Sequence, residues 1–227
     1  MIHLDTNDLV KTVTEVILKQ LQINNKHSDD QTSQINIENR VQVGVSNRHV
    51  HLSLDALYKL FGATAELTNF KILSQPGQFA CEEKVTLVGP KGVIEDVRIL
   101  GPTRDKTQVE LSLSDCIKLG IKAPIRDSGD LPGSAGLTLV GPKGAVTISE
   151  GGIIAARHIH MHPYDADRFS VKDGDRISVK VSGPRGLIFN EVLVRVSDKY
   201  KLEMHIDFDE ANAAGITNNG FVEIIKS

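Results

Sequence analysis

The sequence has no tryptophan, and aromatic residues make up only 4% of its 227 positions. This scarcity disfavours a cofactor or sugar site lined by aromatic rings. The two cysteines, Cys81 and Cys116, are too few for a disulfide scaffold or a four-cysteine zinc site. The sequence contains no run of about 18 apolar residues, so we expect no transmembrane helix and no membrane partner.

Neither sign of charge is in excess, since 26 Lys and Arg residues stand against 29 Asp and Glu residues, a net charge of -3. We therefore expect no basic surface of the kind that binds nucleic acid. The first residues lack a basic segment followed by an apolar run, so we expect no secretory signal and a reducing, cytoplasmic setting. A content of 40% hydrophobic and 24% charged residues is typical of a globular protein with a substantial core.

Residues 1–39 predict an amphipathic helix followed by a polar linker. Within 5–21, apolar residues such as Leu9, Val13 and Ile17 recur at helical spacing and predict one apolar face. The residues that follow have too little apolar content to fold and are interpreted as a linker. The helix either binds a partner, as amphipathic helices in grooves do, or docks on the rest of the chain.

From Val41 onward the sequence changes to short β-strand signals that include an internal repeat. The segment VTLVGPKG at 85–92 recurs as LTLVGPKG at 137–144 and more loosely as VKVSGPRG at 179–186. Each copy is an alternating strand that ends in a Gly-Pro-Lys/Arg-Gly turn, which predicts a hairpin. A phosphate-binding loop is the weaker interpretation, because proline removes one of the N–H donors that such a loop needs. Strands at this spacing indicate small barrels or sandwiches.

Short helices are predicted between the strands from their capping residues. Ser53 and Gly62 bracket a helix over 54–61, and Pro163 favours a helix start before 164–169. Two more short helical segments are predicted, one from Ser114 or Asp115 to Gly120 and one over 209–214 that closes at Gly215.

A second repeat carries the candidate chemistry. An Arg-His-x-His motif occurs twice, each time after an apolar strand signal. Residues two apart on a strand face the same side, so His49 and His51 project together, and His158 and His160 do likewise. Two imidazoles on one face supply half of a tetrahedral zinc site. Because the pair occurs twice, the sequence predicts two metal sites rather than surface histidines.

Each of these metal sites needs a third protein ligand. Strand alternation places Glu110 and His205 on polar strand faces, and both His₂Glu and His₃ are ligand sets of catalytic zinc. His162 shares a strand face with His160, but the proline after it ends the strand, so His162 is a weaker candidate. Arg104 lies in a loop six residues before Glu110, and its guanidinium suits bidentate capture of phosphate or carboxylate.

Two other functions are compatible with a pair of His-x-His motifs on strands. A cupin-like metal oxygenase or isomerase also carries this motif on a β-barrel, and it predicts iron or manganese. A non-catalytic, zinc-stabilised scaffold protein would enclose the metal and transfer no group. The identity of the bound metal separates these two alternatives.

Five segments occur along the chain in one order: VSNRHVHLS at 45–53, LSQPGQFA at 73–80, RILGPTR at 98–104, RHIHM at 157–161 and LEMHID at 202–207. Together they resemble the PduL-type phosphotransacylases, the phosphate propanoyltransferase family. The resemblance covers residues 40–225. It implies exchange of coenzyme A for inorganic phosphate on a short acyl group, with propanoyl-CoA and acetyl-CoA as the usual substrates.

The resemblance also implies the fold: mainly β, with two small β-barrel domains and short capping α-helices after the N-terminal helix and linker. The first barrel would take residues 40–48 and 155–227, and the second would take residues 49–154. The strand before the first His pair would therefore belong to the C-terminal barrel.

The same resemblance implies two zinc ions per chain. One would be held by His49, His51 and Glu110, and the other by His158, His160 and His205. Arg104 matches the phosphate-binding arginine of the family. The positions associated with coenzyme A fall on Ser46, Asn47, Lys71, Arg98 and Asn212.

The family further suggests how the protein assembles. Some members are delivered to bacterial microcompartments by an amphipathic N-terminal helix, and residues 5–21 resemble such an encapsulation peptide. Its partners would be shell or core proteins, and the location would be the microcompartment lumen. The family also suggests a homodimer.

Overall fold

The computed structural model describes residues 39–225. The helix predicted over 5–21 and its linker as far as residue 38 lie outside the described residues. Within 39–225, no helix is both long enough and apolar enough to span a membrane.

Strands and short helices alternate along the described chain. The strands are Arg40–Ser46 (β1), His49–His51 (β2), Asn69–Ile72 (β3), Phe79–Val88 (β4), Val93–Gly101 (β5), Gln108–Glu110 (β6), Ile125–Arg126 (β7), Ala135–Val140 (β8), Ala145–Ala155 (β9), His158–Met161 (β10), Arg176–Val181 (β11), Leu187–Val196 (β12), Glu203–Asp207 (β13) and Phe221–Ile225 (β14). The helices are Leu54–Phe61 (α1), Leu113–Leu119 (α2), Pro163–Phe169 (α3) and Phe208–Ala214 (α4).

The first barrel is a closed ring of six strands in the order β1–β13–β10–β12–β11–β14. β1 runs parallel to β13 and antiparallel to β14, so it closes a ring whose other strands all follow residue 157. Alternate strand residues fill the core, among them the buried side chains of Val43, Ile159, Met161 and Met204. The histidines of β10 alternate with Ile159 and Met161 and therefore face away from this core.

The second barrel is a ring of six strands in the order β4–β5–β2–β6–β9–β8, which β8 closes by pairing with both β4 and β9. β3 pairs with β4 and β7 pairs with β9 outside the ring. The core includes the buried side chains of Leu52, Leu87, Ile99, Val109 and Leu139. The mainly β fold with two barrels, as predicted from the sequence, is confirmed.

All three Gly-Pro-Lys/Arg-Gly segments form the hairpins that the repeat predicts. They connect β4 to β5, β8 to β9 and β11 to β12. In the first two, the N–H of Gly89 donates to the carbonyl of Gly92, and that of Gly141 to Gly144, both at 2.9 Å. In the third, the N–H of Gly186 donates to Gly183, also at 2.9 Å.

The helix positions agree with the capping signals except at two starts. α1 begins after Ser53, whose side chain accepts from the N–H of Ala56. α2 begins at Leu113, so the predicted start at Ser114 or Asp115 is wrong, because Ser112 is the N-cap and forms a capping box with Asp115. α4 begins at Phe208, one residue earlier than predicted, because Asp207 caps it in the same way.

The chain passes from one barrel to the other at two short connections. Asn47 and Arg48 join β1 of the first barrel to β2 of the second. Ala156 and Arg157 join β9 of the second barrel to β10 of the first. A His-x-His strand begins directly after each connection, so both histidine pairs lie where the barrels meet.

Candidate metal centre and active site

A cavity of about 1000 Å³ is lined by residues of both barrels and is called the shared cavity below. Its size falls at the upper end of the usual range for small-molecule sites. All six predicted metal ligands line it, as does Arg104. The residues of most interest are His49, His51, Glu110, His158, His160, His205, Arg104, Ser128, Arg195, Tyr200 and Glu203.

In the second barrel, His49, His51 and Glu110 each bring one ligand atom to within 4.8 Å of the others. The Nε2 atom of His49 lies 3.4 Å from Oε2 of Glu110, and Nε2 of His51 lies 4.0 Å from Oε1. In a tetrahedral zinc site with bonds of 2.0–2.1 Å, ligand atoms are separated by about 3.3 Å. The group therefore fits a divalent ion after a small inward shift of His51.

Strand register explains why these residues meet. β2 and β6 run antiparallel, with His49 directly opposite Glu110. β10 and β13 run antiparallel, with His158 directly opposite His205. The two barrels thus use the same register to place a third residue beside the first histidine of each pair.

The outer ring nitrogens of the histidines are also held in a repeated way. Nδ1 of His49 lies 2.8 Å from the carbonyl of Asn47, and Nδ1 of His158 lies 2.8 Å from the carbonyl of Ala156. Nδ1 of His51 contacts the carbonyl of Leu100 at 3.2 Å. A carbonyl that accepts from Nδ1 fixes the tautomer and leaves Nε2 free to bind a metal ion.

Electrostatics favour a cation at the first group. Burial alone would lower the pKa of His49, but the carboxylate of Glu110 outweighs it and raises that pKa. Burial alone would raise the pKa of Glu110, but the charges of His49 and His51 hold it far below its usual range. Burial beside His49 lowers the pKa of His51 to about 3. The carboxylate of Glu110, which favours a positive charge on His49, would favour a divalent ion in the same way.

In the first barrel, His158, His160 and His205 form a compact ring cluster. Their ring centroids lie 4.7, 5.0 and 5.2 Å apart. Across residues 39–225, however, only His49, His51 and Glu110 bring three ligand atoms within 4.8 Å of one another. The structure therefore brings the three histidines together without completing their ligand geometry.

Two atoms of this ring cluster point to a missing partner. Nδ1 of His160 and Nε2 of His205 are buried without a hydrogen bond. The latter lies 2.9 Å from Oε2 of Glu203, but the contact lacks hydrogen-bond geometry. Buried polar atoms in proteins are normally satisfied, so the unpaired nitrogens are consistent with a site for a metal ion.

Burial favours the neutral imidazole in two members of this cluster, His158 and His160. It lowers the pKa of His158 to about 4, helped by the charge of His205. It lowers the pKa of His160 to about 2, helped by the charge of His158. Neutral imidazole is the form that binds metal. The carboxylate of Glu110 also acts on His158, so both groups face the same space.

Every candidate ligand strand leads directly into a helix start. Ser53 follows His51 by two residues and caps α1, and His162 follows His160 by two residues and caps α3. The ring of His162 accepts from the N–H of Tyr164 at 3.2 Å, and its side chain is exposed. His162 is thus the counterpart of Ser53 and lies outside the cavity lining.

The arginines that precede the two histidine pairs form matching ion pairs. Nε of Arg48 lies 2.7 Å from Asp115 at the start of α2, and Nε of Arg157 lies 3.1 Å from Glu210 at the start of α4. Each carboxylate also belongs to a capping box. These arginines therefore have structural partners that tie each histidine strand to a helix packed on the core of the same barrel.

Arg104 is held at the cavity by backbone and side-chain contacts. Its N–H donates to the carbonyl of Leu52 at 2.9 Å, and Nη1 donates to Oγ of Ser128 at 3.2 Å. Ser128 also donates to Oε1 of Glu110 at 2.9 Å. The guanidinium is thus placed beside the first group of candidate ligands.

The positions that the resemblance associates with coenzyme A are only partly brought together. Ser46, Asn47, Lys71 and Arg98 line the shared cavity. Asn212 lies on the exposed side of α4 and is not part of the lining.

Several cavity residues were missed in the sequence, above all Glu203 and Arg195. Glu203 is buried and accepts from the side chains of Ser74 and Gln75. Alternation places it on the same face of β13 as His205, a signal that could have identified it. Arg195 lies directly beside His160 on the neighbouring strand β12, and only the order of strands in the sheet reveals this.

The fold and this site define a two-barrel β protein whose cavity carries a group of two histidines and one carboxylate that is able to hold a metal ion. A family model described as phosphate propanoyltransferase matches residues 42–217. The phosphate propanoyltransferase of Thermotoga maritima is 55% identical over 185 residues, or 81% of this chain and 88% of that protein. The enzyme from Lachnoclostridium phytofermentans is 56% identical over 186 residues, or 82% of this chain and 87% of that protein.

A third relative, the phosphate propanoyltransferase of Rhodobacter capsulatus, is 55% identical over 186 residues, or 82% of this chain and 86% of that protein. The chain belongs to the phosphate propanoyltransferase family and is an acyltransferase. This membership favours the acyltransferase over the cupin-like enzyme and the scaffold protein.

Proposed function

We propose that the chain exchanges coenzyme A and inorganic phosphate on a short acyl group. Propanoyl-CoA or acetyl-CoA and phosphate would give acyl phosphate and coenzyme A. The observation that carries this proposal is the meeting of two histidine groups and the guanidinium of Arg104 in one cavity of about 1000 Å³. Such a cavity can hold a thioester and a phosphate beside the same cationic centre.

We assign two metal sites to these groups, with zinc as the metal that their nitrogen and oxygen ligands suit. His49, His51 and Glu110 would hold one ion, and His158, His160 and His205 would hold the other. When bound, the metal would polarise the thioester oxygen and stabilise the departing thiolate.

The chain's own charges address the repulsion between the two anionic substrates. Arg104 would hold the phosphate and offset its charge while a phosphate oxygen forms a bond to the thioester carbon. The carbon–sulfur bond then breaks and coenzyme A leaves as the thiolate. Ser46, Asn47, Lys71 and Arg98 would bind coenzyme A along the cavity wall, and Asn212 would contact its more distant part.

Metal content and acyl transfer in the same preparation test this function. We expect coenzyme A release from propanoyl-CoA only when phosphate is present, with two metal ions per chain. His51→Ala and His160→Ala should each lose one ion and lower the rate at least about 100-fold. His162→Asn is the matched control, because it keeps an N-cap and removes an imidazole outside the cavity.

Either of two results would contradict the proposal. One is thioester cleavage by the unaltered chain that does not depend on phosphate. The other is full metal content together with full phosphate-dependent turnover in both histidine variants.

We also propose the assembly that the family resemblance implies. The chain would divide into 40–48 with 155–227 and 49–154, form a homodimer, and use residues 5–21 to bind microcompartment shell or core proteins. Fusion of residues 1–39 to a fluorescent protein tests the last point in cells that contain microcompartments. Diffuse fluorescence from that fusion, equal to that of a Leu9→Glu control, would contradict it.

A further inference from the structure

Arg195, on β12, is a cavity-lining arginine that lacks a counter-charge. Within 39–225 its guanidinium has no carboxylate within 4.0 Å and no hydrogen-bond partner, and the centre of the Tyr200 ring lies 6.0 Å away. The residue is partly buried. A guanidinium that is partly withdrawn from water without a carboxylate favours the binding of an anion.

The other arginines of the shared cavity are all engaged, which distinguishes Arg195 from them. Arg48 is paired with Asp115, and Arg98 donates to the carbonyl of Cys81 and lies 4.7 Å above the ring of Phe70. Arg104 donates to Ser128.

Arg195 and Arg104 reach the cavity from opposite barrels. Arg195 lies beside His160 in the sheet of the first barrel, whereas Arg104 follows β5 of the second barrel. The charge of Arg195 lowers the pKa of Arg104, after the larger effect of burial, and it acts on His158 and His160 in the same direction. Two guanidinium groups that repel one another across a cavity are stabilised by an anion between them.

The repeat itself does not account for Arg195. In the second barrel an arginine, Arg98, stands beside the first histidine of the pair, His49. In the first barrel that position is Leu193, and the arginine stands beside the second histidine. Arg195 is therefore not the repeated counterpart of Arg98. What it shares with the candidate site residues is that its side chain lines the cavity.

We propose that Arg195 binds the phosphoryl group together with Arg104, so that phosphate and acyl phosphate are held by one arginine from each barrel. A tetrahedral phosphate offers oxygen pairs on opposite sides, and a guanidinium matches such a pair with two parallel hydrogen bonds. This inference rests on the proposed function and adds a second binding residue to it.

Binding of inorganic phosphate to the metal-loaded protein tests the inference without any turnover. Titration calorimetry should show that Arg195→Gln raises the phosphate Kd by about 10- to 100-fold, with Arg195→Lys in between. In steady-state assays the phosphate KM should rise in parallel, while the acyl-CoA KM changes by less than about twofold. Arg176→Gln is the control, since Arg176 is exposed on β11 and contacts Glu191 at 3.8 Å.

The results separate this inference from the proposed function. Unchanged phosphate affinity in Arg195→Gln, or a rise in the acyl-CoA KM alone, would overturn the role of Arg195. If the unaltered protein binds phosphate but transfers no acyl group, the proposed function fails, while the calorimetry still decides the role of Arg195. Near-ultraviolet circular dichroism checks that each variant is folded. If Arg195→Gln does not fold, the phosphate affinity of Arg195→Lys still tests the inference.

Discussion

At the residue scale, burial makes both cysteine thiols poor nucleophiles. Cys81 and Cys116 are both buried in the second barrel. Burial raises the pKa of Cys81 to about 11 and also raises that of Cys116. The thiolate is the nucleophilic form, so neither cysteine is suited to carry an acyl group. Direct attack by phosphate on the thioester is the chemistry that remains in the proposed function.

The pKa of Cys81 predicts how stability depends on pH in the alkaline range. In the unfolded chain the thiol ionises near its ordinary pKa of 9.0, but in the folded chain only near 11. Between these values the folded state binds more protons, so the free energy of unfolding falls as pH rises. In urea unfolding, Cys81→Ala should show a shallower decline than the unaltered chain from pH 9 to 11. Parallel declines for the two proteins would contradict this expectation.

At the residue scale, what the sequence predicts depends on spacing within one strand. The alternation of His49 with His51 and of His158 with His160 places each pair on one face, and no long-range information is needed. The contacts of Glu203 with Ser74 and of Arg195 with the cavity join residues far apart in the chain, so they follow only from the order of strands in the folded sheets.

At the element scale, each of the two strands that carry a histidine pair is tied to a helix by the arginine before it. Arg157→Gln would remove the partner of Glu210, a carboxylate that is already partly buried. We expect the free energy of unfolding to drop by about 1–2 kcal/mol, because the arginine is one-third exposed and solvent screens part of the interaction. Urea unfolding with an unchanged m value measures this loss.

A matched control uses a pair on the surface. Lys59→Gln removes an exposed ion pair with Asp55 on α1 and should change stability by less than about 0.5 kcal/mol. Equal losses of unfolding free energy in Arg157→Gln and Lys59→Gln would show that the Arg157–Glu210 pair stabilises the fold no more than a surface ion pair.

The loop between β3 and β4 is anchored to the other barrel through Glu203. Gln75 donates to Glu203 at 3.2 Å and to the carbonyl of Lys201 at 3.0 Å, and it accepts from the N–H of Lys201 at 3.3 Å. A Cβ on Gly44 would lie 3.1 Å from the Glu203 carboxyl group, so a glycine leaves room for this carboxylate.

Loss of these contacts should release the loop. We expect Gln75→Ala to increase amide hydrogen exchange over residues 73–78 by at least about tenfold, since each net hydrogen bond contributes about 1 kcal/mol. Gln78→Ala provides a comparison in the same loop, because the side chain of Gln78 makes no hydrogen bond within the described part of the chain. Equal exchange in the two variants would argue against an anchoring role for Gln75.

Elements were predicted best where their signals are local. The Gly-Pro turns and the helix ends at Gly62, Gly120 and Gly215 depend on a few adjacent residues, and the structure has them at these positions. The start of α2 was predicted wrongly because Ser112 is its N-cap. The apolar pattern alone does not show whether Ser112 ends the preceding strand or begins the helix. Strand partners depend on contacts between distant segments and were not predicted; the family resemblance implied only the two barrels.

At the scale of the whole molecule, each barrel would hold one of the two proposed metal ions, and both ions would face the shared cavity. Removal of metal with a chelator should leave the buried nitrogens of His160 and His205 unsatisfied in the first barrel. It should also take the ion from His49, His51 and Glu110 in the second, so both barrels would lose stability. We expect calorimetry to show one unfolding transition in the metal-loaded protein and a Tm lower by several degrees after chelation. An unchanged Tm, or two transitions in the loaded protein, would contradict this coupling.

The two crossings of the chain also limit how far the barrels can separate. Each connection has only two residues, Asn47 with Arg48 and Ala156 with Arg157, and two extended residues span at most about 7 Å. A hinge that opens the cavity widely by swinging one barrel away would have to break strand pairing next to the histidines. We therefore expect substrates to enter and leave without such a hinge, and the spacing between the two imidazole groups to stay nearly constant.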